Sequence, residues 1–314
     1  MMGRKNYFYY QYENPGYLKI SGPDRLDFLQ RQTTNDLSLL SAGQSLATVL
    51  TSPAGRILDV LWVIHEDDET YGVLTLPGQG EHTENFLKRR IFFMDKVTLE
   101  NRSDELLQID LIGDGTADLL HDLGVNSDPS DNPTTSIKLN ESPVKVLMHP
   151  HLGPRLLISS VGVDQIISGF NDLQVQSLSA KEYQILRIEK GIPAAGHELV
   201  EDYTPLEINY RWAISDNKGC YTGQEVIARQ INYDKVTRNL IGLSLEKIPQ
   251  ENLTLYSGEN DQPAGKVTSS EKSPRFGPIA LAVVKRPFHE PGTELFLRLD
   301  DAELPALVNK LPFQ

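Results

Sequence analysis

The chain has 314 residues and a formal charge of −13, set by 43 acidic and 30 basic side chains. That balance excludes a general affinity for nucleic acid, which needs many phosphate-neutralising contacts, but it leaves room for a local basic pocket that takes a small anion. With 39% hydrophobic and 23% charged residues the composition is that of a globular protein, no apolar run approaches the ~20 residues of a membrane span, and the length suits two or three domains.

Met1 to Tyr7 lacks the apolar stretch of a signal peptide. One cysteine in the whole chain fits a reducing compartment, so the expectation is a cytoplasmic protein; a monomer is expected separately. Tyr17–Gly22 reads as a short strand, and Pro23–Gln30 as a helix with proline near its start. The polar run Arg31–Leu37 is either a plain helix end or the lining of a pocket. Ser45–Leu50 and Ile57–Ile64 read as strands joined by the turn Ser52–Arg56. Asp59 interrupts the second of these. It either occupies a solvent-facing pleat position or is buried with a partner, because a lone buried charge is costly. The acidic run Glu66–Glu69 reads as a solvated hairpin turn before a strand at Tyr71–Leu76.

Further on, Glu84–Arg90 is expected to be a helix with its basic residues at the C-terminal end, where the helix dipole favours them. Strands follow at Lys96–Glu100 and Leu106–Ile112, a helix at Thr116–Leu123 and an exposed loop at Asn126–Asn132. This succession is an α+β pattern. His149-Pro150-His151 reads as an extended loop with no third ligand nearby, so no metal site is expected. Leu156–Ser159 is a strand and Ala180–Glu189 a helix stopped at Gly191, followed by the long irregular connection Ile192–Glu207. With Thr237–Leu245 the composition turns all-β, and strands near Gly265–Ser269, Ile279–Val284 and Glu294–Leu299 suggest a small barrel.

The most pointed stretch is Lys218-Gly219-Cys220-Tyr221-Thr222-Gly223-Gln224-Glu225. Cys220 has no internal disulfide partner, so it is either a packed small residue or a working thiol. Thr222 and Glu225 have capping-box spacing, which would start a helix at Gly223. A cysteine just outside a helix N-terminus, with Lys218 nearby, stands where its thiolate would be favoured.

That octapeptide resembles the K-G-C-Y-x-G-Q-E signature of the YgfZ family, relatives of the glycine-cleavage T-protein aminomethyltransferase. Similar blocks occur in the family's order at Ile20–Arg25, Phe28–Gln30, Thr34–Asp36, Arg187–Pro193, Pro205–Glu207 and Gly265–Ser269. The resemblance implies an α+β fold of three domains in a ring around a central folate-binding channel, with a C-terminal β-barrel. On this sequence it implies a discontinuous folate-binding domain at 1–45 plus 145–235, an inserted domain at 46–144 and the barrel at 236–314. It implies a cofactor, tetrahydrofolate or a derivative, and a role in assembling or repairing iron–sulfur clusters in client proteins, including radical enzymes that modify tRNA. No direct nucleic-acid or membrane partner is expected. Carried over residue by residue, Cys220 and Lys218 become the working pair, and Tyr221, Gln224 and Arg229 belong to the same block. Glu198 takes the place of a glutamate that hydrogen-bonds the pterin ring. Asp59 falls on the first of two adjacent T-protein aspartates, but Val60 stands in the second place, which counts against the aminomethyltransferase reaction. That reaction is the alternative function; a non-catalytic scaffold is a third.

Overall fold

The computed structural model describes residues 7–113, 115–123, 134–139, 142–258, 262–299 and 302–314. The expected loop Asn126–Asn132 lies outside them. The strands in chain order are β1 (Phe8–Gln11), β2 (Gly16–Ser21), β3 (Ser45–Thr51), β4 (Ile57–Asp67), β5 (Thr70–Thr75), β6 (Thr98–Asn101), β7 (Leu106–Ile112), β8 (Thr134–Leu139), β9 (Ser142–His149), β10 (Gly153–Ser159), β11 (Gln176–Ser177), β12 (Arg238–Leu245), β13 (Thr254–Ser257), β14 (Pro263–Ser273), β15 (Gly277–Lys285), β16 (Glu294–Leu299) and β17 (Ala302–Asn309). The helices are α1 (Arg25–Gln32), α2 (Gly80–Lys88), α3 (Thr116–Asp122), α4 (Val163–Asp172), α5 (Ala180–Lys190) and α6 (Gln224–Asn232).

The chain divides into two compact units. One comprises the described residues of Met1–Leu50, Asp59–Ser179 and Ala213–Tyr221; the other comprises those of Thr51–Leu58, Ala180–Trp212 and Thr222–Gln314. The first holds a five-stranded sheet of order β3-β4-β5-β2-β6 and a six-stranded sheet of order β11-β1-β7-β10-β9-β8. Alternation in the six-stranded sheet sends Ile109, Leu111, Val144, Val146, Leu156 and Ile158 into a core closed by Leu119 and Leu120 of α3 and Ile166 and Phe170 of α4. The second unit holds a closed barrel of order β12-β15-β14-β13-β16-β17. The mixed α and β content and the C-terminal barrel agree with the expectation from sequence.

Three local expectations need correction. Glu66 is not part of a solvated turn: β4 runs on to Asp67, and the Glu66 carboxylate accepts hydrogen bonds from Tyr17 Oη and Lys145 Nζ. Desolvation and that carboxylate together hold the Tyr17 phenol well above its usual range. His149-Pro150-His151 is not an extended loop, because His149 ends β9 and the following residues turn into β10. His149 Nδ1 accepts the N–H groups of His151 and Leu152, and burial lowers its pKa to about 3. Among the described residues no group of three or more His, Cys, Asp or Glu side chains is arranged to hold a metal ion. The helix expected at Glu84–Arg90 starts earlier, at Gly80.

Candidate functional site

Lys218 is held by the end of a helix. Its Nζ donates to the carbonyls of Gln30 (2.9 Å), Thr33 (2.6 Å) and Asn35 (2.7 Å), at the C-terminus of α1, where carbonyls lack intrahelical partners and the dipole favours a cation. All three ammonium donors are thereby used. The ammonium also lies 5.2 Å from the ring centre of Tyr221, itself buried. Burial lowers the lysine pKa to about 8, against the opposing field of Asp36. The polar run after α1 is therefore the anchorage of Lys218, further pinned by Thr34 Oγ1, which donates to Ala213 O at 2.7 Å. Cys220 is exposed. The cation offered as its activator is committed to the α1 carbonyls.

The expected capping box does not form. Gly223, not Thr222, is the N-cap of α6, with a left-handed φ of 84° and no side-chain cap. A Cβ there would stand 2.5 Å from Ser52 O and 3.0 Å from Gly55 Cα, and Thr51 Oγ1 donates to Thr222 O at 2.6 Å. The glycine is required by this close approach and by its φ. The signature is continuous in sequence but divides between the two units at Tyr221–Thr222.

Asp59 is fully buried on β4 and accepts from Val60 N (2.8 Å), Leu76 N (3.0 Å) and Thr83 Oγ1 on α2 (2.5 Å). No cation is among these partners, so desolvation outweighs them and pushes its pKa up to about 7. Of the two sequence readings, the buried and partnered one holds.

Glu198 is equally sealed. Its carboxylate accepts from Arg187 Nη1 (3.1 Å), Ala194 N (3.1 Å), Thr268 Oγ1 (2.6 Å) and Ser269 Oγ (2.6 Å). Arg187, on α5 and 1% exposed, also donates from Nη2 to Ser269 Oγ at 2.6 Å, which closes a ring of charge-assisted bonds between α5 and β14. Arg187, Thr268 and Ser269 lie in blocks that the sequence singled out without a role. The signal available was an arginine on the apolar face of a predicted helix.

Gln224 opens α6 and is half-buried, while Arg229, one turn on, is exposed. Arg229 lines a cavity of about 490 Å³ together with Arg56, Lys235, Arg238 and Glu207. The sequence-derived residues thus form two groups, with Asp59, Lys218, Cys220 and Tyr221 in one unit and Glu198, Gln224 and Arg229 in the other.

Residues 4–147 match the GCVT N-terminal domain, and residues 238–314 match the glycine cleavage T-protein C-terminal barrel domain. An aminomethyltransferase of Prosthecochloris aestuarii is 28% identical over 312 residues, spanning 95% of this chain and 85% of its own length. One from Chlorobaculum tepidum is 27% identical over 323 residues, with 95% and 84% covered. A putative chloroplastic transferase of Arabidopsis thaliana is 29% identical over 269 residues, covering 81% of this chain and 59% of the relative. The glycine cleavage system aminomethyltransferase T of Bartonella henselae has the same fold, with a TM-score of 0.83 at 20% identity over 99% of this chain and 87% of that one. The class is therefore an aminomethyltransferase-like, T-protein fold. Within it, the chain carries both the GCVT N-terminal domain and the T-protein C-terminal barrel domain. No helix among the described residues is long and apolar enough to cross a membrane.

Proposed function

We propose that this chain is a folate-binding accessory protein of the YgfZ type, which serves the assembly or repair of iron–sulfur clusters in client enzymes through Cys220. The observation that carries the reading is an exposed, lone cysteine two residues from a lysine that is pinned to the C-terminus of α1. An exposed thiol on an anchored segment is accessible to a partner protein, and Lys218 supports it by fixing the backbone. The two carboxylates that resemblance assigns to folate fit that ligand poorly as they stand, since both Asp59 and Glu198 are fully buried and each is hydrogen-bonded within its own unit. Gln224, half-buried, and Arg229, exposed, are better disposed, and the reading gives the folate contacts to them. In a strain lacking the gene, Cys220→Ala is expected to leave the melting temperature unchanged and to fail to restore the activity of iron–sulfur enzymes. Full restoration would overturn the thiol role. Calorimetric titration with tetrahydrofolate tests the cofactor separately.

A second reading, aminomethyl transfer to folate, is favoured by the curated names of relatives at 26–28% identity. Against it stand Val60 in place of a second aspartate and the locked carboxylate of Asp59. Incubating the purified protein with an aminomethyl-lipoyl carrier protein and tetrahydrofolate decides it: formation of methylenetetrahydrofolate at a turnover above background would establish the transferase.

A further inference from the structure

The cations of this acidic chain are not evenly spread. On the unit that holds the barrel, the cavity of about 490 Å³ and a second of about 310 Å³ share Arg56 and Arg238 as walls. The first adds Arg229 and Lys235, and the second adds Lys266 and Lys285. Six cations face two carboxylates, Glu207 and Asp202, in a chain whose net charge is −13.

The arrangement is built rather than incidental. Glu207 is 2% exposed and accepts from Arg56 Nη1 (3.3 Å), Arg238 Nε (2.8 Å) and Arg238 Nη2 (2.9 Å), and from Thr204 N at 3.0 Å. The carbonyl of Asp202 accepts from both guanidinium groups, each at 3.0 Å. One carboxylate cannot neutralise two guanidinium groups. It orients them and leaves a net positive charge, with further N–H donors on both arginines. Arg229, Lys235 and Lys266 have no carboxylate partner among the described residues, and Lys285 is tied only to Pro263 O at 2.6 Å. Like charges gathered around concave, partly desolvated walls raise the local concentration of an anion, and both volumes lie in the range of small-ligand sites, roughly 300–1,000 Å³.

We propose that these adjoining cavities bind a compact oligoanion, a small molecule with two or more phosphate or carboxylate groups in series. The fixed pair Arg56–Arg238 would take the central group. Arg229 and Lys235 would take the group on one side, Lys266 and Lys285 the group on the other. A single anion would leave most of these cations unused. The site shares Arg229 with the folate reading and is otherwise separate from it, since a ligand without a pterin is expected to occupy it.

The test is calorimetric titration of the full chain at low ionic strength with sodium tripolyphosphate and, separately, with citrate. The variant Lys235→Glu/Lys266→Glu changes two side chains that hold no ion pair, so its melting temperature should match the wild type. The expected result is saturable binding of one or both probes that weakens tenfold or more in the double variant and as salt is raised. Binding of tripolyphosphate alone assigns the natural ligand to phosphates, binding of citrate alone to carboxylates. The proposal is overturned if neither probe binds or if the double variant binds as tightly. It is equally overturned if Arg89→Glu/Lys96→Glu, in the other unit, weakens binding as much, since that marks diffuse attraction rather than a site.

Discussion

Asp59 and Glu198 show how the same residue type, buried to the same extent, is handled in two ways. Glu198 faces a guanidinium, whereas Asp59 has only two amides and a hydroxyl. The consequence for Asp59 can be signed. An unfolded aspartate titrates near 3.9, and the folded one at about 7, so between those values the native state holds a proton that the unfolded state has lost. Stability must therefore fall as pH rises through that window, by an amount of order 4 kcal/mol if burial is complete. Asp59→Asn keeps an acceptor for Val60 and Leu76 and offers an N–H to Thr83. It is expected to gain on the wild type as pH rises through that window, so that its advantage is larger at pH 8 than at pH 5, read by urea unfolding at the two pH values. Equal pH dependence in both proteins would show that the carboxylate ionises freely. The sequence marked Asp59 as odd inside an apolar strand but could not supply its partners, because Thr83 lies 24 residues away on another element.

At the scale of elements, the signature residues act on helix ends. Lys218 closes the C-terminus of α1, and Gly223 opens α6. The T-x-x-E spacing suggested a capping box one residue too early. What shifted the start is the packing of Gly223 against the turn at Ser52–Gly55, a contact between segments far apart in sequence that no local pattern encodes. Gly223→Ala combines the left-handed φ of 84° with a Cβ 2.5 Å from a backbone oxygen. It should cost about 2–5 kcal/mol, the conformational strain and the overpacking adding. Gly43→Ala is the control: φ is 78° but nothing lies within 4 Å, so only the conformational cost of about 1–2 kcal/mol applies. Denaturant midpoints of the two variants, compared with wild type, separate the terms. Equal losses would mean that the turn yields.

For the whole molecule, the barrel was the most legible part, because the chain turns all-β after Val236 and its strands are punctuated by Gly and Pro. The strand β13 escaped notice because alternation over four residues is weak, and β17 because Pro305 and the exposed Leu307 interrupt its apolar pattern in the sequence. The apolar run Ile279–Val284 was read as a strand, but its lack of alternation carries more information than that. On β15 the side chains of Ala280, Ala282 and Val284 join the barrel core with Leu255, Val267, Leu297 and Val308. Ile279, Leu281 and Val283 point the other way and are also buried, with α5 packed along β14 and β15. A strand covered on both faces reads as continuous hydrophobicity rather than as a period of two. On β15 the inner positions Ala280 and Ala282 are small, which leaves room for Leu255 and Leu297 in a closed six-stranded barrel with little interior volume. Two opposite substitutions test both faces. Ala282→Leu adds volume where the barrel is closed and should destabilise by about 1–3 kcal/mol. Leu281→Ala empties the outer layer and should cost roughly 2–5 kcal/mol. Urea unfolding measures each. A loss near zero for Leu281→Ala would mean that the outer face of β15 is not covered, and tolerance of Ala282→Leu would mean that the barrel retains an internal void.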